Sequence, residues 1–227
     1  MQGENCVTGP VEEGIVLASA SPRRAHLLAL LGVTFQTDVS VIDEDLDTPL
    51  TAGERACELA LAKARAVAVR HRGRVVLAAD TLIAFRGRLL GKPRDPADAV
   101  AMLRTLRGAW HRVITGVAVI GGEPELEFVG AEVTRVLMRR YTDDEIAAYV
   151  ASGDPMDKAA AYAIQNRDFH PVERLDVCYT NVMGLPLCLL AGILRHTCCN
   201  CADPKMACSR HLDIKCPIAV TPAGAGV

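Results

Sequence analysis

The 227-residue chain lacks an excess of positive charge, a long apolar run and a signal-peptide pattern. Its formal net charge is −2 and its basic residues are spread out, which excludes a global positive field for recruiting a nucleic acid polymer. No apolar run is long enough to span a bilayer, and residues 1–13 are acidic without a hydrophobic segment. We therefore expect a cytoplasmic protein that binds neither nucleic acid polymers nor membranes.

The nine cysteines are unevenly placed, and five of them crowd the end of the chain. Those five are Cys198, Cys199, Cys201, Cys208 and Cys216. Scattered cysteines in a reducing compartment are typically small buried hydrophobic residues. The terminal cluster contains a Cys-x-x-Cys pair, which indicates either a zinc site that would also use His196 and His211 or a redox-sensitive dithiol. The second half of a convincing zinc motif is missing, so both interpretations stay open.

Periodicity and capping residues predict strands and helices that alternate along the chain. The predicted strands are Ile15–Ala18, Val33–Val39, Val75–Ala79, Leu82–Phe85, Arg88–Leu90, Arg112–Ile120, Leu126–Arg139 and Phe169–Leu175. The predicted helices begin at Pro22, Thr51, Asp95, Thr142 and Asn181, the last ending at Leu194. This order predicts an α/β fold with a mixed sheet. We expect a flexible extension at residues 1–13, one domain at 14–196, and a Cys-rich, partly disordered tail at 197–227.

The segment from Ser19 to Arg24 carries a conflict of charge. Ser21 and Pro22 begin a helix, whose N-terminus has a partial positive charge, yet Arg23 and Arg24 lie in its first turn. An anion bound there would resolve the conflict, because backbone N–H groups and guanidinium groups would converge on it. Two solvated arginines on an amphipathic helix are the alternative interpretation.

Two further positions interrupt apolar patterns. Lys63 falls within the apolar stripe of the helix that begins at Thr51, where it either snorkels to solvent or meets phosphate at a cleft. Asp80 and Thr81 follow a buried strand at the carboxyl end, where α/β sheets usually bind ligands, although both residue types also end strands without any function.

Three loop residues complete the candidate set. Glu44 lies in an acidic loop that either supplies a second carboxylate or is merely solvated. Gly91 and Pro93 flank Lys92 and would fix its direction. Gln165 offers an amide donor and acceptor suited to the edge of a base, although a glutamine at the start of a loop needs no special role.

These segments occur in an order that resembles the successive blocks of the Maf family, which is named for septum formation. The matching segments are LASASPRRAHLLALLG, VIDEDL, ALAKARAVA, LAADTLIAFRGRLLGKPRDPADAVAMLRTLRGAWHRVITGVAV, YVASGDPMDKAAAYAIQ and NVMGLPL. Each block alone is weak evidence, whereas the ordered set covers residues 15–194 and is specific. The resemblance implies an elongated mixed β-sheet with flanking helices and two lobes around a central cleft, as in inosine triphosphate pyrophosphatases.

The resemblance also implies a function. Family members cleave nucleoside triphosphates between the α and β phosphates with a divalent cation, and they are often homodimers. The matching functional residues are Ser19, Arg23, Arg24, Glu44, Lys63, Asp80, Thr81, Lys92 and Gln165. Asp80 would be the proton acceptor, and Glu44 and Asp80 would hold Mg²⁺ or Mn²⁺ because hard cations prefer carboxylate oxygens. The remaining residues would bind the substrate.

The family includes a group acting on dTTP and UTP and a group acting on 7-methylguanosine triphosphate. Arg23, Thr81 and Gln165 resemble the first group, which favours a pyrimidine triphosphate as substrate. The alternatives are the same chemistry on a modified purine triphosphate and a non-catalytic nucleotide sensor that regulates cell division. A sensor could dispense with the carboxylates, so Asp80 and Glu44 favour an enzyme.

Two positions depart from the family pattern. Ala160 stands where family members usually have glycine, and Asn166 stands where they often have glycine. If Ala160 needs a positive φ, the strain is of order 1 kcal/mol or more and the loop must shift. Asn166 tolerates left-handed geometry better and is the milder change.

Overall fold

The computed structural model describes residues 14–43, 49–122, 126–197 and 201–212. These residues form seven strands and seven α-helices. In chain order they are β1 (Ile15–Leu17), α1 (Pro22–Ala29), β2 (Phe35–Thr37), α2 (Ala52–Ala68), β3 (Val76–Phe85), β4 (Arg88–Leu90), α3 (Pro96–Leu106), β5 (Trp110–Gly121), β6 (Leu126–Met138), α4 (Asp143–Ala151), β7 (Val172–Asp176), α5 (Tyr179–Met183), α6 (Leu187–Leu194) and α7 (Pro204–Leu212). None of these helices is long and apolar enough to cross a bilayer.

One sheet contains all seven of these strands. Its order is β2-β1-β3-β5-β6-β7, and β4 pairs with the far end of β3, on the same edge as β1. The pairs of β1 with β2 and with β3 are parallel, whereas the other pairs are antiparallel. The predicted α/β fold with a mixed sheet is therefore confirmed.

The two faces of the sheet carry different layers, because successive side chains of a strand alternate between faces. Val76 and Ala78 of β3 pack under α2, whereas Leu77 and Ala79 join the opposite cluster with α1 and α6. Further along the strand, on that same opposite face, Ile83 joins a separate cluster with α3 and α4. These two clusters form the two lobes, and the cleft lies between them.

Helix α2 lies very close to the sheet. A Cβ added to Gly116 of β5 would collide with the carbonyl of Ala56, so glycine is required at this crossing. The helix begins with a capping box at the predicted Thr51, in which Thr51 and Glu54 each accept a bond from the other's backbone N–H. Tight contact and a defined N-terminus together fix the position of Lys63 on this helix.

The structure corrects two predicted boundaries. Residues 76–85 form one continuous strand where the sequence predicted two, so Asp80 lies within β3 rather than at its carboxyl end. The predicted helix Asn181–Leu194 is two helices, because Gly184 has φ of 107° and Pro186 cannot continue the hydrogen bonding of α5.

Helix α7 was not predicted from the sequence. It contributes the buried Cys208 to the cluster around α6, and Ala202 donates its backbone N–H to the carbonyl of Leu31 at 2.8 Å. Part of the Cys-rich segment is therefore packed against the domain.

Candidate active site

The candidate site occupies a gap along one edge of strand β3. Strand β1 pairs with Val76 and Leu77 and then ends, whereas β4 pairs only from Ile83 to Phe85. On this edge, residues 78–82 lie between these two neighbours and pair with no strand that the structure describes, whereas their other edge pairs with β5. A polar pair in the middle of a buried strand is thus accommodated, because the edge opens onto a cavity of about 640 Å³.

Seven of the nine predicted site residues line this cavity. They are Arg23, Arg24, Lys63, Asp80, Thr81, Lys92 and Gln165. Ser19 lies behind the wall, where it is buried and bonded to Arg24, and Glu44 falls outside the described residues. Residues from distant parts of the chain therefore converge on one cleft.

Arg24 donates hydrogen bonds to three described residues. Its Nε donates to the carbonyl of Gly184 at 2.9 Å, one terminal nitrogen to Ser19 Oγ at 3.3 Å and the other to Thr81 Oγ1 at 3.1 Å. These bonds fix the guanidinium plane at the start of α1. Ser21 is the N-cap residue as predicted, but its side chain makes no capping bond, and its N–H donates to Ser19 Oγ instead.

Lys63 and Asp80 form an ion pair in the cavity wall. Lys63 Nζ lies 2.6 Å from Asp80 Oδ1, and only 13% and 10% of the two side chains are exposed. Snorkelling to open solvent is therefore not the conformation of Lys63. The pair leaves Asp80 Oδ2 as the carboxylate oxygen outside this short contact.

The opposite wall comes from the second lobe. Lys92 and Gln165 line it, and the backbone N–H of Ala160 donates to the carbonyl of Gly91 at 2.8 Å. Ala160 adopts φ of 56° and ψ of 21°, so the residue that replaces the family's usual glycine does need left-handed geometry. The bond ties this strained turn to the loop that carries Lys92.

Lys158 supports the same wall and was not included among the site residues. It is buried, and its three N–H donors face the carbonyl of Asp154 at 2.6 Å, Asp157 Oδ1 at 2.6 Å and Asp154 Oδ1 at 3.1 Å. The hydrogen bond from Lys158, with a smaller contribution from the charge of Arg23, lowers the pKa of Asp157. A lysine preceded by two acids, one and four positions earlier in DPMDK, was the available signal for this anchor.

Asn166, the second departure from the family pattern, is also an anchor. Its amide nitrogen donates to Asp154 Oδ2 at 3.2 Å, and its Oδ1 accepts the backbone N–H of Phe169 at 2.8 Å. Tyr149 donates to the same Asp154 oxygen at 2.8 Å. Asn166 thereby contributes to the network that fixes Lys158.

Tyr162 closes the floor of the cavity on the side of the second lobe. Its hydroxyl lies 2.7 Å from Nε2 of His111, which is only 3% exposed. Burial lowers the pKa of His111 to about 4, so the imidazole is neutral at neutral pH. This pair was not predicted from the sequence, because the two residues are distant in the chain.

Metal ligands are sparse in the described residues. No three His, Cys, Asp or Glu side chains come together there as a metal-binding group. Three members of the Cys-rich cluster, Cys198, Cys199 and Cys216, lie outside the described residues, as do the N-terminal extension and the end of the tail. The zinc and dithiol hypotheses for that cluster therefore stay predictions.

Comparison with known proteins gives consistent results. Residues 14–197 match the family model described as Maf-like protein. A dTTP/UTP pyrophosphatase of Thermomicrobium roseum is 48% identical over 206 residues, covering 90% of this chain and 94% of the relative. One of Geobacter sulfurreducens is 50% identical over 186 residues, covering 82% and 97%.

Among solved structures, the Ham1 protein of Staphylococcus aureus is similar at a TM-score of 0.45 and 15% identity. The match covers 80% of this chain and 97% of that one. This likeness is too low to add to the assignment.

Proposed function

This chain belongs to the Maf-like protein family, and from that premise we propose that it hydrolyses dTTP and UTP to the monophosphate and pyrophosphate. The observation that carries the proposal is the convergence of Arg24, Lys63 and Lys92 with Asp80 on one cavity. A triphosphate repels an incoming nucleophile because of its negative charge, and cations fixed around it reduce that repulsion. The proposed site of this activity is the cytoplasm, which holds the nucleotide pool.

The reaction requires one new bond and one broken bond. Water attacks the α-phosphorus, the bond from that phosphorus to the oxygen bridging the α and β phosphates breaks, and pyrophosphate leaves. We assign the proton acceptor to Asp80, which receives a proton from the attacking water. Lys63, already 2.6 Å from Asp80, places positive charge beside the carboxylate and the phosphates at once.

A divalent cation fits the residues present. Mg²⁺ usually binds one or two carboxylates together with substrate phosphates and waters, so Asp80 Oδ2 suffices as one protein ligand, and Glu44 is the proposed second. When bound, Mg²⁺ or Mn²⁺ would neutralise charge on the phosphates and the leaving group. The absence of a larger ligand cluster among the described residues agrees with this kind of site.

Base selection is assigned to the second lobe. Gln165 follows Tyr162 and Ile164 along the cavity wall, so an apolar surface and an amide lie side by side. Thymine and uracil each present a donor and an acceptor on one edge, which an amide can match. Arg23, on the facing side of the cleft, is assigned to the phosphates.

Pyrophosphate release tests the proposal directly. The panel comprises dTTP, UTP, dCTP, GTP and 7-methylguanosine triphosphate, each with Mg²⁺, with Mn²⁺ and with a chelator. We expect the fastest release from dTTP and UTP, and only with a cation. Preference for the modified purine would overturn the base assignment, whereas binding without release from any triphosphate would indicate a nucleotide sensor.

A further inference from the structure

A chain of hydrogen bonds connects the cavity to the buried centre of the sheet. It begins at Arg24, passes through the hydroxyls of Thr81 and Thr115, and ends at the backbone carbonyl of Asn181. The three separations are 3.1, 3.0 and 3.0 Å. Thr115 and Asn181 are fully buried, so water does not compete for these bonds.

The chemistry of these groups determines which atom donates in each hydrogen bond of this series. A carbonyl oxygen only accepts, so Thr115 must use its single hydroxyl hydrogen on Asn181. Thr115 therefore accepts in its contact with Thr81, which makes Thr81 the donor there. Because a guanidinium only donates, Thr81 accepts from Arg24. Every hydroxyl hydrogen along the chain is assigned to a partner inside the protein.

This direction leaves Thr81 without a hydrogen to donate to a substrate. Its oxygen is presented to Arg24, and the bond to Thr115 prevents the hydroxyl from rotating. The end of the chain is fixed as well, since the amide of Asn181 donates to the carbonyl of Val113 at 3.1 Å and to Thr134 Oγ1 at 3.0 Å. Helix α5 is thereby attached to both β5 and β6.

We propose that Thr115 is a positioning residue for Arg24, and that Thr81 serves the substrate through Arg24 rather than by donating a hydrogen bond to the base. The proposal deepens the proposed function, on which it rests. Its physical content is that the bond from Thr81 to Thr115 aligns the acceptor that orients the guanidinium. Phosphate binding, which needs a fixed guanidinium, then depends on a residue that contacts no substrate.

The test compares Thr115→Val with Thr115→Ser. Valine keeps the shape but removes both the acceptor for Thr81 and the donor to Asn181, whereas serine keeps the hydroxyl. We expect kcat/KM for dTTP to fall on the order of tenfold in the valine variant and to recover within about twofold in the serine variant. Equal activity of wild type and Thr115→Val would overturn the proposal.

A double-mutant cycle separates positioning from general loss of stability. If both threonines act through one chain, Thr115→Val should cost nothing further in a Thr81→Val background. Thr197→Val is the matched control, because Thr197 is an equally buried threonine whose hydroxyl donates to the carbonyl of Leu194, outside this series of bonds. We expect it to lower the melting temperature while kcat/KM stays within about twofold. Additive losses, or an equal loss from Thr197→Val, would reduce Thr115 to a structural residue.

Inorganic tripolyphosphate distinguishes phosphate orientation from base recognition. It has no base, so Thr115→Val should raise its dissociation constant, measured by calorimetry, by the same factor as that of a non-hydrolysable dTTP analogue. A loss confined to the dTTP analogue would show that the chain serves base recognition and would contradict the proposal. This measurement decides the role of Thr115 even if the wild-type protein releases no pyrophosphate, in which case the proposed function alone fails.

Discussion

Asp80 and Thr81 are consecutive residues of β3 whose side chains leave opposite faces of the sheet and reach the same cavity. Asp80 meets Lys63 of α2 on one face, and Thr81 meets Arg24 of α1 on the other. Both faces have access because β1 ends before this point and β4 begins after it. The site therefore draws on both layers of the fold.

Asp80→Asn should nearly abolish turnover. The amide cannot accept the proton from the attacking water, so we expect kcat to fall about 10²–10⁴-fold. Pyrophosphate release measures the change, and a melting curve verifies that the variant folds. Asp157→Asn is the control, because Asp157 is a cavity-lining carboxylate that is bonded to Lys158 and mostly exposed. A loss of similar size in the control would point to cavity charge, and normal turnover in Asp80→Asn would refute the assigned base.

Ala160→Gly should stabilise the protein. Ala160 holds φ of 56°, which costs a residue with a Cβ about 1–2 kcal/mol and costs glycine little. The larger backbone entropy of glycine in the unfolded chain offsets part of this relief. We therefore expect a net gain of about 0.5–1 kcal/mol in unfolding free energy.

Urea unfolding at equilibrium measures this effect. Ala148→Gly in α4 is the matched control, since Ala148 is exposed in regular helix and should lose about 1 kcal/mol. Equal losses from both exchanges would show that the loop around Ala160 does not store strain.

Gly116→Ala should disrupt the contact between α2 and the sheet. Its Cβ would collide with backbone atoms of Ala56 and Cys57, so the helix must move and take Lys63 away from Asp80. We expect a loss of at least about 2 kcal/mol in stability and a lower kcat. Gly130→Ala on β6 is the control, since its Cβ would meet Leu189 at an ordinary 3.7 Å. Near-equal melting temperatures for the two variants would contradict this packing.

The sequence predicted the starts of helices well where neighbouring residues determine them. The capping boxes at Thr51 and Thr142 and the Asp95 cap all form, because each depends on residues three positions apart. The helix after Asn181 was predicted too long, since its apolar pattern continues across Gly184 and Pro186. A pattern of hydrophobicity does not register the left-handed turn that separates α5 from α6.

In the candidate site, too, local features could be predicted from the sequence, whereas contacts between distant residues could not. Some site residues were noticed because they break a local pattern, as Lys63 does in an apolar stripe. What those residues contact could not be read locally, because Lys63 pairs with Asp80 and Arg24 with Thr81, in each case on a different element. Asp80 was placed at a strand end for a related reason: the sequence does not show that a neighbouring strand stops beside a polar residue.

Protonation of His111 should destabilise the protein in mildly acidic solution. Its pKa is about 4 in the fold because burial disfavours the charged imidazole, whereas the ordinary value is 6.5. Between these values the unfolded chain binds the proton and the folded chain does not, so unfolding free energy falls as pH falls from about 6.5 to about 4. The full effect is on the order of 3 kcal/mol.

The carboxylates with lowered pKa values change the stability of the protein in a separate, more acidic pH range. Hydrogen bonds from Arg70 and His71 lower the pKa of Asp38 to about 2, and a bond from Arg139 does the same for Glu145. Their stabilisation is lost only as pH falls below their ordinary values of 3.8 and 4.5. Urea unfolding of wild type and His111→Gln at about pH 7.5 and about pH 5 isolates the histidine, because glutamine keeps a polar group near Tyr162 but does not titrate. The wild type should lose roughly 2 kcal/mol more than the variant over this interval, and parallel curves would show that the fold does not lower the pKa of His111.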